Sequence, residues 1–175
     1  MTKTKGIDFA SLSLRDALDL AVLIEEEAKD RYEEFAEQME LHHTPEAALF
    51  FRIMSKNEEK HRSELAQRRA QLFKDAPSAV NRNMIFDVEA PDYDEARAFM
   101  TPRQALTSAL RSEEKAHAFF TAALPQVGDA DVKKLFEELR GEEEEHKRMV
   151  QEQLARQPAD PTLKADDFAD EPVSQ

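Results

Sequence analysis

The chain has 175 residues, 41% of them hydrophobic, and a formal net charge of −13. That length suits one domain with a substantial core, and the negative charge disfavours nucleic acid and anionic membranes while attracting cations. There is no cysteine, which excludes disulfides, iron–sulfur clusters, thiolate zinc sites and CxxC redox chemistry together.

The N-terminal stretch MTKTKGIDFASLSLRD lacks an apolar h-region, and no run of residues is apolar enough for a membrane span. The expectation is a cytoplasmic protein. Glycine is scarce and the strong helix formers dominate. Proline and glycine then divide the chain into four long helical segments.

The first segment, 13–41, carries the stripe Leu14, Leu18, Ala21, Glu25, Ala28, Tyr32, Phe35, Met39. Its 3,4 spacing marks one buried helix face, and Glu25 is its only charged member. Ser13 with Asp16 predicts an N-cap. The second segment, 45–74, follows Thr44-Pro45, a cap residue before a proline at the first helical position. Its stripe is Ala47, Phe51, Met54, Glu58, His61, Leu65, Leu72, with Arg68 snorkelling outward.

Residues 75–101 form a link with no clear period, and the sequence assigns it no role. The third segment, 102–124, opens with Thr101-Pro102 and Gln104, a capping box. Its stripe is Leu106, Ala109, Glu113, Ala116, Phe120, Ala123. The fourth, 129–156, follows a Gly128-Asp129 turn and carries Val132, Phe136, Leu139, Glu143, His146, Val150. In its run GEEEEHKR the helix phase turns Glu143 inward, while Glu142, Glu144 and Glu145 fall to the sides and to solvent.

The two halves repeat: ALDLAVLIEEEA (17–28) aligns with ALTSALRSEEKA (105–116), and FFRIMSKNEEKH (50–61) with LFEELRGEEEEH (135–146). A helical hairpin used twice and joined by a long link predicts an all-α four-helix bundle with one long crossover between the second and third helices. The bundle domain spans 1–156, and 157–175, rich in proline and aspartate, reads as a flexible acidic tail.

Each helix thus buries a glutamate, and two of them add a histidine three residues on, on the same face. Spacing alone is weak evidence, because four of the five histidines have a glutamate three residues earlier. The weight rests on Glu25, Glu58, His61, Glu113, Glu143 and His146 occupying matching stripe positions in both repeats. An unpaired buried carboxylate costs several kcal/mol, and no lysine or arginine on the stripes offsets these four. Two divalent cations would. Oxygen and imidazole donors without thiolate suit iron or manganese, while zinc would bind without redox chemistry.

This constellation resembles the ferritin-like di-iron carboxylate proteins, and among them the rubrerythrin-type domain. IEEEAKDRYEEFAE resembles the family's first-helix motif, with Glu25 seven residues before Tyr32, and NEEKH and EEEEH match its two ExxH motifs. The resemblance covers about 13–155. It implies that Glu58 and Glu143 bridge two iron ions per chain, with Glu25/His61 and Glu113/His146 completing one metal each. Manganese or zinc can replace iron on purification.

Two departures stand out. The extra glutamate that rubrerythrins carry one turn after the third-helix ligand is Ala116 here, with His117 beside it as a candidate substitute. The four-cysteine rubredoxin domain is absent from the sequence, which implies an external electron donor protein. The leading expectation is a non-haem di-iron oxidoreductase using peroxide or dioxygen, with peroxide favoured and Tyr32 as a redox or hydrogen-bonding residue near the metals. The alternatives are a ferroxidase or iron-handling protein, and a binding module with a structural di-metal site. Phe50, Phe73, Phe86 and Phe99 lie outside the stripes and suggest a homodimer.

Overall fold

The computed structural model describes residues 6–85, 88–92 and 100–159. It is all-helical among these residues: α1 Leu14–Leu41, α2 Pro45–Phe73, a short α3 Arg82–Ile85, α4 Pro102–Ala123 and α5 Ala130–Arg156, with a 3-10 turn Leu124–Gln126 after α4. The helix ends follow local chemistry. The Ser13 hydroxyl oxygen accepts from the Asp16 amide at 3.1 Å. Thr101 and Gln104 close their capping box with bonds of 3.1 and 3.0 Å. Asp129 accepts from the amides of Asp131 and Val132. Each such cap is worth about 1 kcal/mol.

Thr44 departs from expectation. It makes no side-chain cap; its hydroxyl instead donates backward to the Met39 carbonyl at 3.0 Å. The α1–α2 turn is so tight that His43 takes a φ of 57°, and the hydroxyl serves the helix it leaves rather than the one it begins. Gly128 is required for a different reason. A Cβ there would lie 2.5 Å from the Ala10 carbonyl oxygen, where the N-terminal segment crosses the α4–α5 turn.

The long helices pair as α1 with α2 and α4 with α5. Two apolar clusters fill the bundle. One holds Leu18, Leu20 and Ile24 of α1, Leu65 of α2, Phe119, Phe120 and Ala123 of α4, and Val132, Phe136 and Leu139 of α5. Phe9 seals its end, meeting Phe119 and Phe136 edge-on at 6.0 and 6.1 Å. The other holds Tyr32, Phe35 and Met39, then Phe51 and Met54, then Leu106 and Ala109, and finally Val150. Each fully buried side chain of this size contributes about 1.5–3 kcal/mol.

The predicted stripes are buried throughout α4 and α5. On α2 the last predicted member fails: Leu72 is 54% exposed, and its neighbour Phe73 packs on the first cluster instead. The helix reaches beyond the bundle's apolar end there, so the stripe has nothing to cover it.

The clusters also give direction to the chain. Along α2 and along α4 the order runs from the second cluster to the first, so these two helices point the same way. Of the described residues between them, Ile85 and Val88 are buried in the first cluster and Met100 in the second. Phe86 and Phe99 lie outside the described residues, as does the tail from residue 160. Phe50 and Phe73, the other two phenylalanines outside the stripes, are partly buried against the two clusters.

Candidate metal centre

On every long helix the candidate ligands fall in the gap between the two apolar clusters. Glu25 follows Ile24 and precedes Tyr32. Glu58 and His61 lie between Met54 and Leu65, Glu113 between Ala109 and Phe119, and Glu143 and His146 between Leu139 and Val150. A polar layer thus crosses an otherwise apolar bundle. Glu25, Glu58, Glu113 and Glu143 are each 3% exposed or less.

The histidines face carboxylates through Nδ1. His61 Nδ1 is 3.8 Å from Glu25 Oε2 and 3.7 Å from Glu58 Oε2. His146 Nδ1 is 3.3 Å from Glu113 Oε2 and 3.8 Å from Glu143 Oε2. Donor atoms of Glu25, Glu58 and His61 lie within 4.8 Å of one another, and so do those of Glu58, Glu113 and His146. Glu58 belongs to both groups. Glu143 approaches His146 on one side and groups with Glu25 on the other.

The layer crowds buried carboxylates together with few hydrogen-bond partners. Glu25 Oε2, both oxygens of Glu58, and Glu143 Oε2 are buried with no hydrogen-bond partner. Burial pushes the Glu25 carboxyl well above the usual range, and the charge of Glu58 adds to this. Burial, then the charge of Glu113, does the same to Glu143. Glu113 is raised by burial although its hydrogen bond to His146 pulls the other way. Burial disfavours the charged His146 ring, but the Glu113 hydrogen bond and charge outweigh it and the ring is raised. The carboxylates repel one another and hold protons that a divalent ion would displace. Hard oxygen donors with one imidazole per group fit iron or manganese.

Residues 16–154 match the rubrerythrin family. The chain belongs to that family. A crystal structure of an uncharacterized conserved protein from Magnetospirillum magnetotacticum MS-1 superposes with a TM-score of 0.69 at 26% identity, covering 87% of this chain and all of that one. No curated protein matches.

Within this rubrerythrin-family frame, Tyr32 is fully buried and its hydroxyl donates to Glu113 Oε1 at 3.4 Å. Burial and the charge of Glu113 raise its pKa well above the ordinary phenol value. Tyr32 therefore remains a proton donor, holding the oxygen of Glu113 that does not face His146. Ala116 is fully buried and brings no donor atom. His117 Nε2 lies 3.4 Å from Glu144 Oε2, and His117 is in none of the metal-capable groups among the described residues. One residue further along the helix than Ala116, it is rotated toward α5's wet side.

One carboxylate escaped the sequence reading. Glu89, in the link, is 1% exposed and joins Glu25 and Glu143 in a third group within 4.8 Å. It sits on no periodic stripe. The only local hint is Val88-Glu89-Ala90, a single charge between two small apolar residues.

A cleft of about 130 Å³ between α2 and α5 opens onto His61, lined by Glu64, Arg68, Glu138 and Glu142. Arg68 reaches across it to Glu138 at 2.8 Å.

Proposed function

We propose that this chain is a non-haem di-iron oxidoreductase that oxidises Fe(II) with peroxide or dioxygen. The observation that carries the reading is Glu58 shared between two carboxylate–histidine groups, with its own two oxygens unpartnered. A pair of Fe(II) ions supplies two electrons, enough to reduce peroxide to water or dioxygen to peroxide.

The chain's own residues do the rest. Glu25 and His61 would hold one ion, Glu113 and His146 the other, with Glu58 and Glu143 bridging. The two apolar clusters exclude water from both ends of the layer, which strengthens every interaction within it. Tyr32 keeps Glu113 oriented. Protons held on Glu25 and Glu143 in the metal-free protein leave as cations bind.

Peroxide is the favoured oxidant. A separate donor protein is part of the proposal, as the source of the electrons that restore Fe(II). Among the described residues no helix is long and apolar enough to cross a membrane, in keeping with a cytoplasmic setting. A homodimer remains part of the proposal, on the strength of exposed Leu49 and Ile53 one turn apart on α2; light scattering tests it.

A second reading, iron handling, is supported by the cleft at His61, where Glu64 and Glu142 line the opening beside the Arg68–Glu138 pair and three leucines. Stopped-flow mixing of the anaerobic Fe(II)-loaded protein with each oxidant separately decides between them. Faster Fe(III) absorbance growth with peroxide supports the oxidoreductase with peroxide as its oxidant; dioxygen at least as fast overturns the preference for peroxide and favours iron handling; no oxidation by either leaves the metal structural and overturns both.

A further inference from the structure

We propose that Glu89 is a seventh protein ligand of the di-metal centre, delivered by the α3–α4 link to the ion held by Glu25, Glu58 and His61. The inference rests on the di-metal reading above and deepens it.

Three observations meet at this residue. Glu89 is 1% exposed, yet neither carboxylate oxygen has a hydrogen-bond partner. An apolar side chain would seal the bundle better, because a buried carboxylate without a partner works against folding. One of its oxygens lies within 4.8 Å of a donor atom of Glu25 and of one of Glu143, forming a group of three carboxylates without an imidazole. Such a set is a hard, all-oxygen site of the kind that takes divalent cations.

The third observation is the way the segment is tied down. Arg31 of α1 donates to the Pro91 carbonyl at 2.6 Å, and Arg31 is itself buried. Lys115 of α4 donates to the Ala90 carbonyl at 2.8 Å and to Asp92 Oδ1 at 3.2 Å. Val88 and Ala90 are buried on either side of Glu89. The strap is thus fastened to both helices that carry the lone glutamate ligands. Its two clamping cations hold the Pro91 and Ala90 carbonyls and the Asp92 carboxylate, while neither Glu89 oxygen has a hydrogen-bond partner.

This makes the centre asymmetric. The sequence repeat supplies equivalent ligands to both ions, but Glu89 comes from outside the repeat and groups with the terminal ligand Glu25 and the shared Glu143, not with Glu113. The ion at Glu25 and His61 gains an extra oxygen donor, and the ion at Glu113 and His146 does not.

The test is anaerobic titration with Mn(II), reading the free ion by electron paramagnetic resonance, on wild type and Glu89→Gln. Wild type should bind two ions per chain. Glu89→Gln should keep one near wild-type affinity and weaken the other by at least about tenfold. Wild type with two ions and Glu89→Gln unchanged at both overturns this proposal alone. Wild type with fewer than two overturns the di-metal reading and this proposal with it. Hydrogen exchange on the wild type supplies a readout independent of the variant's folding: Mn(II) should slow the amides of Val88, Glu89, Ala90 and Asp92. Unchanged exchange on full loading counts against ligation.

Discussion

His61 and His146 stack face to face, with ring centroids 4.8 Å apart and planes within 4°. One comes from α2 and the other from α5, each three residues after a buried glutamate. Their Nδ1 atoms turn to carboxylates of different helices, His61 to Glu25 and His146 to Glu113. The stack is the structural image of the sequence repeat, and it brings the two carboxylate–histidine groups side by side.

Two such groups imply two ions. After anaerobic Fe(II) loading and removal of free metal, elemental analysis should find two per chain. His61→Ala and His146→Ala should each lose one position preferentially, since each ring serves a different group. One ion at saturation in the wild type would remove the paired site.

The glutamate run on α5 separates by helix phase. Glu143 is 2% exposed with Oε2 unpartnered, whereas Glu142 is exposed and Glu144 pairs with Lys147 and His117 at the surface. Glu143→Ala should abolish paired binding in a metal titration, and Glu142→Ala and Glu144→Ala should leave it intact. Metal-free Glu143→Gln should melt higher than wild type at pH 8, by about 1 kcal/mol in stability, because a repelled buried charge is gone.

The metal-free protein should lose stability as pH rises. Glu25, Glu89, Glu113 and Glu143 all have folded-state pKa values above the ordinary carboxylate value. The folded state therefore binds more protons than the unfolded one between the two values, and stability falls with pH across that window. The raised His146 ring acts in the same direction, its contribution fading as pH passes its folded value. Calorimetry of the metal-free protein should show a lower melting temperature at pH 8 than at pH 5.5. Saturating Mn(II), which requires the deprotonated ligands, should flatten or reverse that trend. A melting temperature rising with pH in the metal-free protein would contradict the protonated layer.

Tyr32→Phe removes the hydroxyl that donates to Glu113 Oε1. The ring stays, stacked on Phe51 at 6.1 Å, so the cost in stability should be about 1 kcal/mol. Two metals should still bind. The rate of Fe(II) oxidation should fall, since Glu113 is less firmly held; an unchanged rate would confine Tyr32 to core packing.

Much of this protein is present in local sequence. Helix ends at Ser13, Thr101 and Asp129 follow from side chains reaching their own amides. The inward Glu25, Glu58, Glu113 and Glu143 follow from a 3.6-residue period, which any single helix imposes without its neighbours. Other features needed the assembled chain. Leu72 continues a stripe that the bundle does not extend far enough to bury. Thr44 turns to Met39 because the α1–α2 turn brings that carbonyl within reach. Glu89 has no period to reveal it: its burial depends on Arg31 and Lys115, 58 and 26 residues away along the chain, meeting the carbonyls of Pro91 and Ala90. Periodicity reports what a helix does to itself, whereas the place of a non-helical carboxylate is decided by distant side chains that hold its backbone, and only folding brings those together.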